Sequence, residues 1–202
     1  SVVPREAQLA YLAVDSAEGA AYLRWMRLCM AYALENRRRM LDRAVEAVFD
    51  AVRGVAPDAG SFITEAVDTH HNYADAEHHF GADVLVHRKG AVRARRGEMV
   101  IIPGSMETSS YIARGLGNRE SFETCSHGAG RRLSRTAAKQ QRSAQDVLDA
   151  LREKGIELAK RGHADVAEEA GHAYKPIEDV MQNSADLVEP VYRLRPLGVV
   201  KG

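Results

Sequence analysis

Apolar residues recur every three or four positions early in the chain, with Tyr22, Met26, Met30 and Ala33 forming one stripe. That period belongs to a helix with one face against a core. Asp15-Ser16-Ala17-Glu18 has capping-box spacing, with Asp15 as cap and Glu18 reaching back. The pattern predicts a first helix to about residue 36. A second follows over 37–52, with Met40, Ala44, Val48 and Val52 on one side, stopped by Gly54 and Pro57. The two would make a helical hairpin over residues 1–56. Past Gly60 the period shortens to two. Residues 61–68, 83–87, 98–102 and 110–114 are β-branched or alternating and bounded by glycine or proline, which predicts strands. The histidine-rich 70s interrupt that series. Residues 131–153 read as one long helix, basic at its start; 175–181 as a short helix; 186–195 as a strand. The expected class is α+β: two N-terminal helices, then mixed or antiparallel strands in a 60–202 part, all within a single domain, and no regular βαβ series.

Composition narrows this little. The chain has 202 residues, 45% hydrophobic and 28% charged, as ordinary globular proteins do. No run of about 18 apolar residues predicts a membrane span. Two cysteines, Cys29 and Cys125, outside any Cys-x-x-Cys pair, exclude a disulfide framework and fit a reducing compartment such as the cytoplasm. The opening Ser-Val-Val-Pro reads as the interior of a longer chain. Net charge is zero, yet residues 85–142 hold twelve Lys or Arg against four Glu, a local excess of eight positive charges. Such a stripe suits a polyanion; the competing reading is solvated faces paired with acids elsewhere in the fold.

The sharpest chemistry lies at 126–131, Ser-His-Gly-Ala-Gly-Arg. Small residues let a backbone approach a ligand closely. A helix opening after them would aim N–H groups and a positive dipole end at an anion, most simply a phosphate. His127 would sit at that phosphate as nucleophile or proton carrier. The alternative is a glycine-rich turn that follows a histidine. His70, His71, His78 and His79 fall within ten residues and suggest a metal, with His78 and His79 better read as surface residues. A Gly/Ser-rich loop at 102–111 offers hydroxyls and N–H groups for a nucleotide's polar edge, or is a tight turn between strands.

Seven strings occur in order: His71-Asn72-Tyr73-Ala74, Val86-His87-Arg88-Lys89-Gly90-Ala91, Ile102-Pro103-Gly104-Ser105-Met106, Ser110-Tyr111-Ile112, Ser126-His127-Gly128-Ala129-Gly130-Arg131, Ala173-Tyr174-Lys175 and Val200-Lys201-Gly202. Together they resemble the C-terminal half of the RtcB family of RNA-splicing ligases over nearly the whole chain. The resemblance implies an RNA ligase that uses GTP and Mn²⁺. It would join an RNA 3′-phosphate or 2′,3′-cyclic phosphate to a 5′-hydroxyl, in tRNA splicing and RNA repair, through a histidine–GMP. His127 matches that histidine, and Arg131 matches an arginine needed for activity. Ser105, Ser110, Gly128, Ala129, Gly130, Tyr174 and Lys201 match positions around the guanine nucleotide, so 60–202 would be the nucleotide-binding part. His71 matches a metal ligand, and Asn72 is a candidate to support it. Arg88 and Lys89 either touch RNA or support a loop. Two positions depart from the family pattern: Glu107 stands where glycine is common, and Pro176 where an acidic residue is usual. The family's remaining metal ligands belong to its N-terminal half, so the chain alone is expected not to ligate and to need that half as partner. The alternative function is a non-catalytic module that binds guanine nucleotide or RNA.

Overall fold

The computed structural model describes residues 11–58, 60, 63, 66–160, 162 and 165–201. It divides into two compact units, 1–66 and 67–202.

Among the described residues of the first unit there is one helix, α1 (Ala17–Val55), where the pattern predicts two. Nothing between Ala20 and Arg53 is glycine or proline, so no residue breaks the helix. Ion pairs also span the expected break: Glu35 takes Arg38 at 2.9 Å and Arg39 at 2.7 Å. Hydrogen bonds from Arg38 and Arg39 hold the Glu35 carboxyl down to about 2. The cap is Ser16, whose hydroxyl accepts from the Gly19 N–H, not Asp15. Tyr22, Met40 and Val48, expected to face a core, are exposed.

The second unit begins with an antiparallel pair, β1 (Asn72–His79) and β2 (Ala82–Lys89). Phe80 and Gly81 join them with φ of 54° and 80°, as a two-residue hairpin turn requires. The polar 70s are therefore strand, not interruption. Their inward positions carry a charge network instead of an apolar stripe, which hides the period from a hydrophobicity pattern. The expected strand at 61–68 falls largely on residues 61, 62, 64 and 65, outside those described; 66–68 are not strand.

Four further strands follow. Two of them, β3 (Ala91–Arg93) and β6 (Thr124–Ser126), pair antiparallel. The others, β4 (Met99–Ile102) and β5 (Ser110–Gly115), join β8 (Val188–Leu194) in an antiparallel sheet ordered β4-β5-β8. Val92, Val100, Ile102, Ala113 and Cys125 are buried on these strands, and Ile177 from α4 (Ile177–Gln182) packs with them. A buried side chain such as Ile102 or Ile177 contributes about 1.5–3 kcal/mol.

The long helix expected at 131–153 is two, α2 (Arg135–Gln141) and α3 (Ala144–Glu153). Ser143 and Asp146 make a reciprocal capping box, so a new helix starts where the old one was expected to continue. Helix α2 starts only at Arg135 after its Ser134 cap. No helix therefore opens directly behind the glycine turn, and the helix-dipole argument for that turn does not hold. Val147 and Leu151 of α3 join Met106, Ile156, Val166 and Ala170 in a second core cluster. Beside it β7 (Glu157–Lys160) pairs in parallel with β9 (Gly198–Lys201), a strand the sequence pattern does not reveal. No described helix is long and apolar enough to cross a membrane.

The basic runs are largely paired. Arg93 meets Glu98 at 2.9 Å, Arg95 meets Glu123 at 3.2 Å and Lys139 meets Glu168 at 2.6 Å. Arg142 reaches the buried Glu107 carboxylate at 3.3 Å. Glu107, the departure in the Gly/Ser loop, also accepts from the Gly171 N–H at 2.7 Å and ties that loop to the 171 turn. Glu98 is local to Arg93, whereas Glu123, Glu107 and Glu168 lie about 28–35 residues from the cations they meet, and Glu168 comes from outside the basic stretch.

Cys125 is 2% exposed, and burial pushes its thiol up to about 12, whereas Cys29 is exposed. A thiolate, not a thiol, attacks disulfide reagents. An Ellman titration at neutral pH is therefore expected to count one fast thiol in the native protein and two after unfolding.

Candidate active site

Three strand ends meet at His127, which follows β6. The His127 N–H donates to the Gly90 carbonyl at 3.4 Å, and the Gly90 N–H to the His71 carbonyl at 3.0 Å. This backbone relay stacks the His71 and His127 rings, with centroids 5.1 Å apart and planes 19° apart. Gly90 has φ of +67°, and a β-carbon there would sit 3.4 Å from His127 Cδ2. A side chain at 90 would therefore strain the backbone and crowd the imidazole.

Burial and the neighbouring His71 hold the His127 pKa below the ordinary histidine value. A neutral ring keeps one nitrogen lone pair free for attack on phosphorus or for accepting a proton. The ring opens on a cavity of about 600 Å³, lined also by Gly90, Gly128, Gly130, Lys175 and Asp179.

The glycine turn is fixed from both sides. The Ala129 N–H donates to the Pro103 carbonyl at 3.0 Å, and the Lys175 N–H to the Gly130 carbonyl at 3.0 Å. The Ser126 hydroxyl donates to the Gly128 carbonyl at 2.7 Å. The 102–111 loop packs behind it. Gly104 has no room for a side chain there, since a β-carbon would lie 2.1 Å from the Ser109 carbonyl oxygen. Its N–H donates to the Ser110 hydroxyl at 3.2 Å. The Ser105 hydroxyl bonds Thr108 Oγ1 at 2.9 Å and accepts from the Glu107 N–H at 3.2 Å. Both expected hydroxyls are thus engaged in holding their own loop.

Arg131 leaves the turn toward a second cluster. It pairs by an isolated bridge with Tyr174, and its guanidinium carbon lies 5.1 Å from that ring's centroid. Arg131 Nη1 reaches the Tyr174 hydroxyl at 3.2 Å and Glu169 at 3.3 Å. Lys201, at the end of β9, meets Glu169 at 3.3 Å, and the Tyr174 hydroxyl donates to the same carboxylate. Burial would raise the Glu169 pKa, but Tyr174, Lys201 and Arg131 outweigh it and hold the carboxyl low. Burial and Glu169 push the Tyr174 phenol up. The motif residues Arg131, Tyr174 and Lys201 therefore meet at Glu169, a residue outside every string singled out from the sequence.

The other histidines have local partners. His78 Nδ1 lies 2.8 Å from Asp83, His79 Nε2 lies 2.8 Å from Glu77, and His70 tilts against Tyr73. Among the described residues no group of three His, Cys, Asp or Glu could hold a metal ion. A manganese site needs several oxygen or nitrogen ligands, and His71 does not make one with the described residues. Arg88 is 1% exposed and is held by Glu77, Thr124, Tyr73 and the Phe122 carbonyl, so it supports the fold and does not face RNA. Lys89 is exposed.

A family model for the tRNA-splicing ligase RtcB matches residues 2–202. The chain belongs to the RtcB family. It is 42% identical to RNA-splicing ligase RtcB of Escherichia coli strain K12, over 90% of this chain and 43% of that protein. It is 36% identical to RNA-splicing ligase RtcB of Mycobacterium tuberculosis, over 96% of this chain and 48% of that protein. The chain thus spans a little under half the length of the curated relatives it matches. Within this RtcB chain, hydrogen bonds, ring stacking and ion pairs tie His71, Gly90 and Pro103 to the His127 turn, and Arg131, Tyr174 and Lys201 to Glu169.

Proposed function

We propose that this chain is the nucleotidyl-accepting part of an RtcB-type RNA ligase that joins RNA 3′-phosphate or 2′,3′-cyclic phosphate ends to 5′-hydroxyl ends. The observation that carries the reading is the placement of His127: a half-buried imidazole on a glycine turn, open to a cavity, its pKa held low by burial and by His71. A phosphate monoester is a poor electrophile because it is anionic and its oxygen leaves badly. GTP, as a substrate, removes that obstacle. A His127 nitrogen attacks the α-phosphorus, forming an N–P bond and releasing pyrophosphate. The RNA 3′-phosphate oxygen then displaces the imidazole and takes the guanylate. The 5′-hydroxyl attacks the activated 3′-phosphorus, its proton leaves to a base, and GMP departs. The turn's N–H groups and Arg131 would offset charge on the phosphate oxygens. Tyr174 and Lys201 would bind the guanine nucleotide, with Ser105, Ser110 and Ala129–Gly130 beside it. Mn²⁺, if bound through His71, would act as a Lewis acid, with further ligands from the N-terminal half of the ligase.

On this reading the chain alone neither ligates nor takes label from GTP. The test mixes it with labelled GTP and Mn²⁺, with and without that N-terminal half. Labelling and joining are expected only in the mixture, whereas robust labelling of the chain alone would contradict the expectation. A non-catalytic module would instead bind RNA in a salt-dependent way with no call for GTP. The pairing of its basic runs with acids gives that alternative little support.

A further inference from the structure

We propose that Glu169 is a positioning residue for the guanine-nucleotide site, a carboxylate that gathers Arg131, Tyr174 and Lys201 into one unit; this rests on the ligase reading above. The three partners come from separate segments: the turn after His127, the stretch before α4, and the last strand. Their meeting point is one carboxylate. Glu169 Oε1 takes Arg131 at 3.3 Å, while Oε2 takes Lys201 at 3.3 Å and accepts the Tyr174 hydroxyl. Arg135 is the further cation facing it, at 3.8 Å. Its sequence neighbour Glu168 is held elsewhere, by Lys139 at 2.6 Å, and gives its backbone carbonyl to Arg131 Nη2 at 2.6 Å.

Without the carboxylate, Arg131 and Lys201 would be uncompensated cations near one phenol ring, and the Tyr174 hydroxyl would lose its acceptor. Partly buried polar networks lose more than one bond's worth when a shared member goes. The cluster is also the link between the histidine turn and the chain's last strand. Arg131 belongs to the turn, and the neighbouring Lys175 N–H holds Gly130. A nucleotide whose phosphate lies at His127 and whose base reaches Tyr174 and Lys201 would need this link at a fixed length. Glu169 sets it without touching the nucleotide.

The experiment uses the full-length ligase and Glu169→Gln, which keeps the volume and one acceptor but removes the charge. Two readouts are taken. The first is the Tyr174 phenol titration, isolated from the other tyrosines as the ultraviolet difference against Tyr174→Phe. It is expected to fall toward the ordinary tyrosine value, because the carboxylate raises it. The second is steady-state joining. The GTP KM is expected to rise about tenfold or more while kcat changes by less than about threefold, a split that separates nucleotide placement from chemistry. Glu169→Asp, with the charge on a shorter stem, is expected to give an intermediate KM, and it decides the matter if the Gln variant does not fold. An unmoved phenol titration, or a KM within about twofold of the parent for both variants, overturns the proposal. His127→Ala runs alongside: joining that survives it sinks the ligase-site reading, whereas joining lost there but untouched in the Glu169 variants sinks only the positioning role.

Discussion

Replacing Arg88 with methionine is expected to lower stability by about 3–5 kcal/mol, because it strands a buried carboxylate. Glu77 and Arg88 side chains are each 1% exposed and paired twice, at 2.5 and 3.0 Å. His79 adds a third contact to Glu77 at 2.8 Å. Arg88 also donates to Thr124 Oγ1 and the Phe122 carbonyl, so it ties the β1–β2 hairpin to the loop that feeds β6 and His127. Burial would raise the Glu77 carboxyl, but the Arg88 and His79 hydrogen bonds outweigh it and hold it at about 2. A depressed folded-state value means the folded state binds fewer protons than the unfolded one there. The stabilisation is therefore complete above the ordinary carboxylate range and is lost as pH falls from there toward about 2. Urea unfolding checks both points: Arg88→Met should cut the unfolding free energy at neutral pH, and the parent's acid loss should be blunted in Glu77→Gln/Arg88→Met. A variant as stable as the parent would show that the pair contributes little.

His127→Ala is expected to abolish guanylate transfer in the full-length ligase, a fall of roughly a thousandfold or more, the order seen when a covalent nucleophile is removed. Stability should barely change, since the ring is half-buried at a cavity wall and stacks on His71. Joining assays paired with thermal unfolding separate the two effects. A variant that folds and still transfers guanylate would move the nucleophile elsewhere.

The α+β class and most of the central strands were legible because β4, β5 and β8 carry apolar residues bounded by glycine or proline. What stayed hidden had physical causes. β1 looks like a polar interruption because its inward residues, Glu77 and His79, are matched by a buried arginine instead of an apolar partner. β9 is four residues long and stable only against β7, a pairing across about forty residues that no local pattern records. The single α1 and the divided α2–α3 invert expectation for one reason: local capping and ion-pair chemistry at Glu35 and Ser143 decides continuity, not the apolar stripe. His127, its glycine turn and the 102–111 loop stood out from the residues alone, whereas Tyr174 and Lys201 came only through the resemblance. Glu169 lay outside every motif string, and its one signal, a carboxylate near a tyrosine and ahead of a lysine-ended strand, is too common in sequence to stand out.

On the proposed ligase reading the His127 ring carries the guanylate. The direct measurement is mass spectrometry of the peptide spanning Ser126–Arg131 from the full-length ligase, after incubation with GTP and Mn²⁺ and no RNA. A single GMP on His127 is expected, lost in mild acid as an N–P bond is, and discharged when RNA bearing a 3′-phosphate is added. A guanylate found on Lys201 or any other residue, with the His127 peptide unmodified, would contradict it.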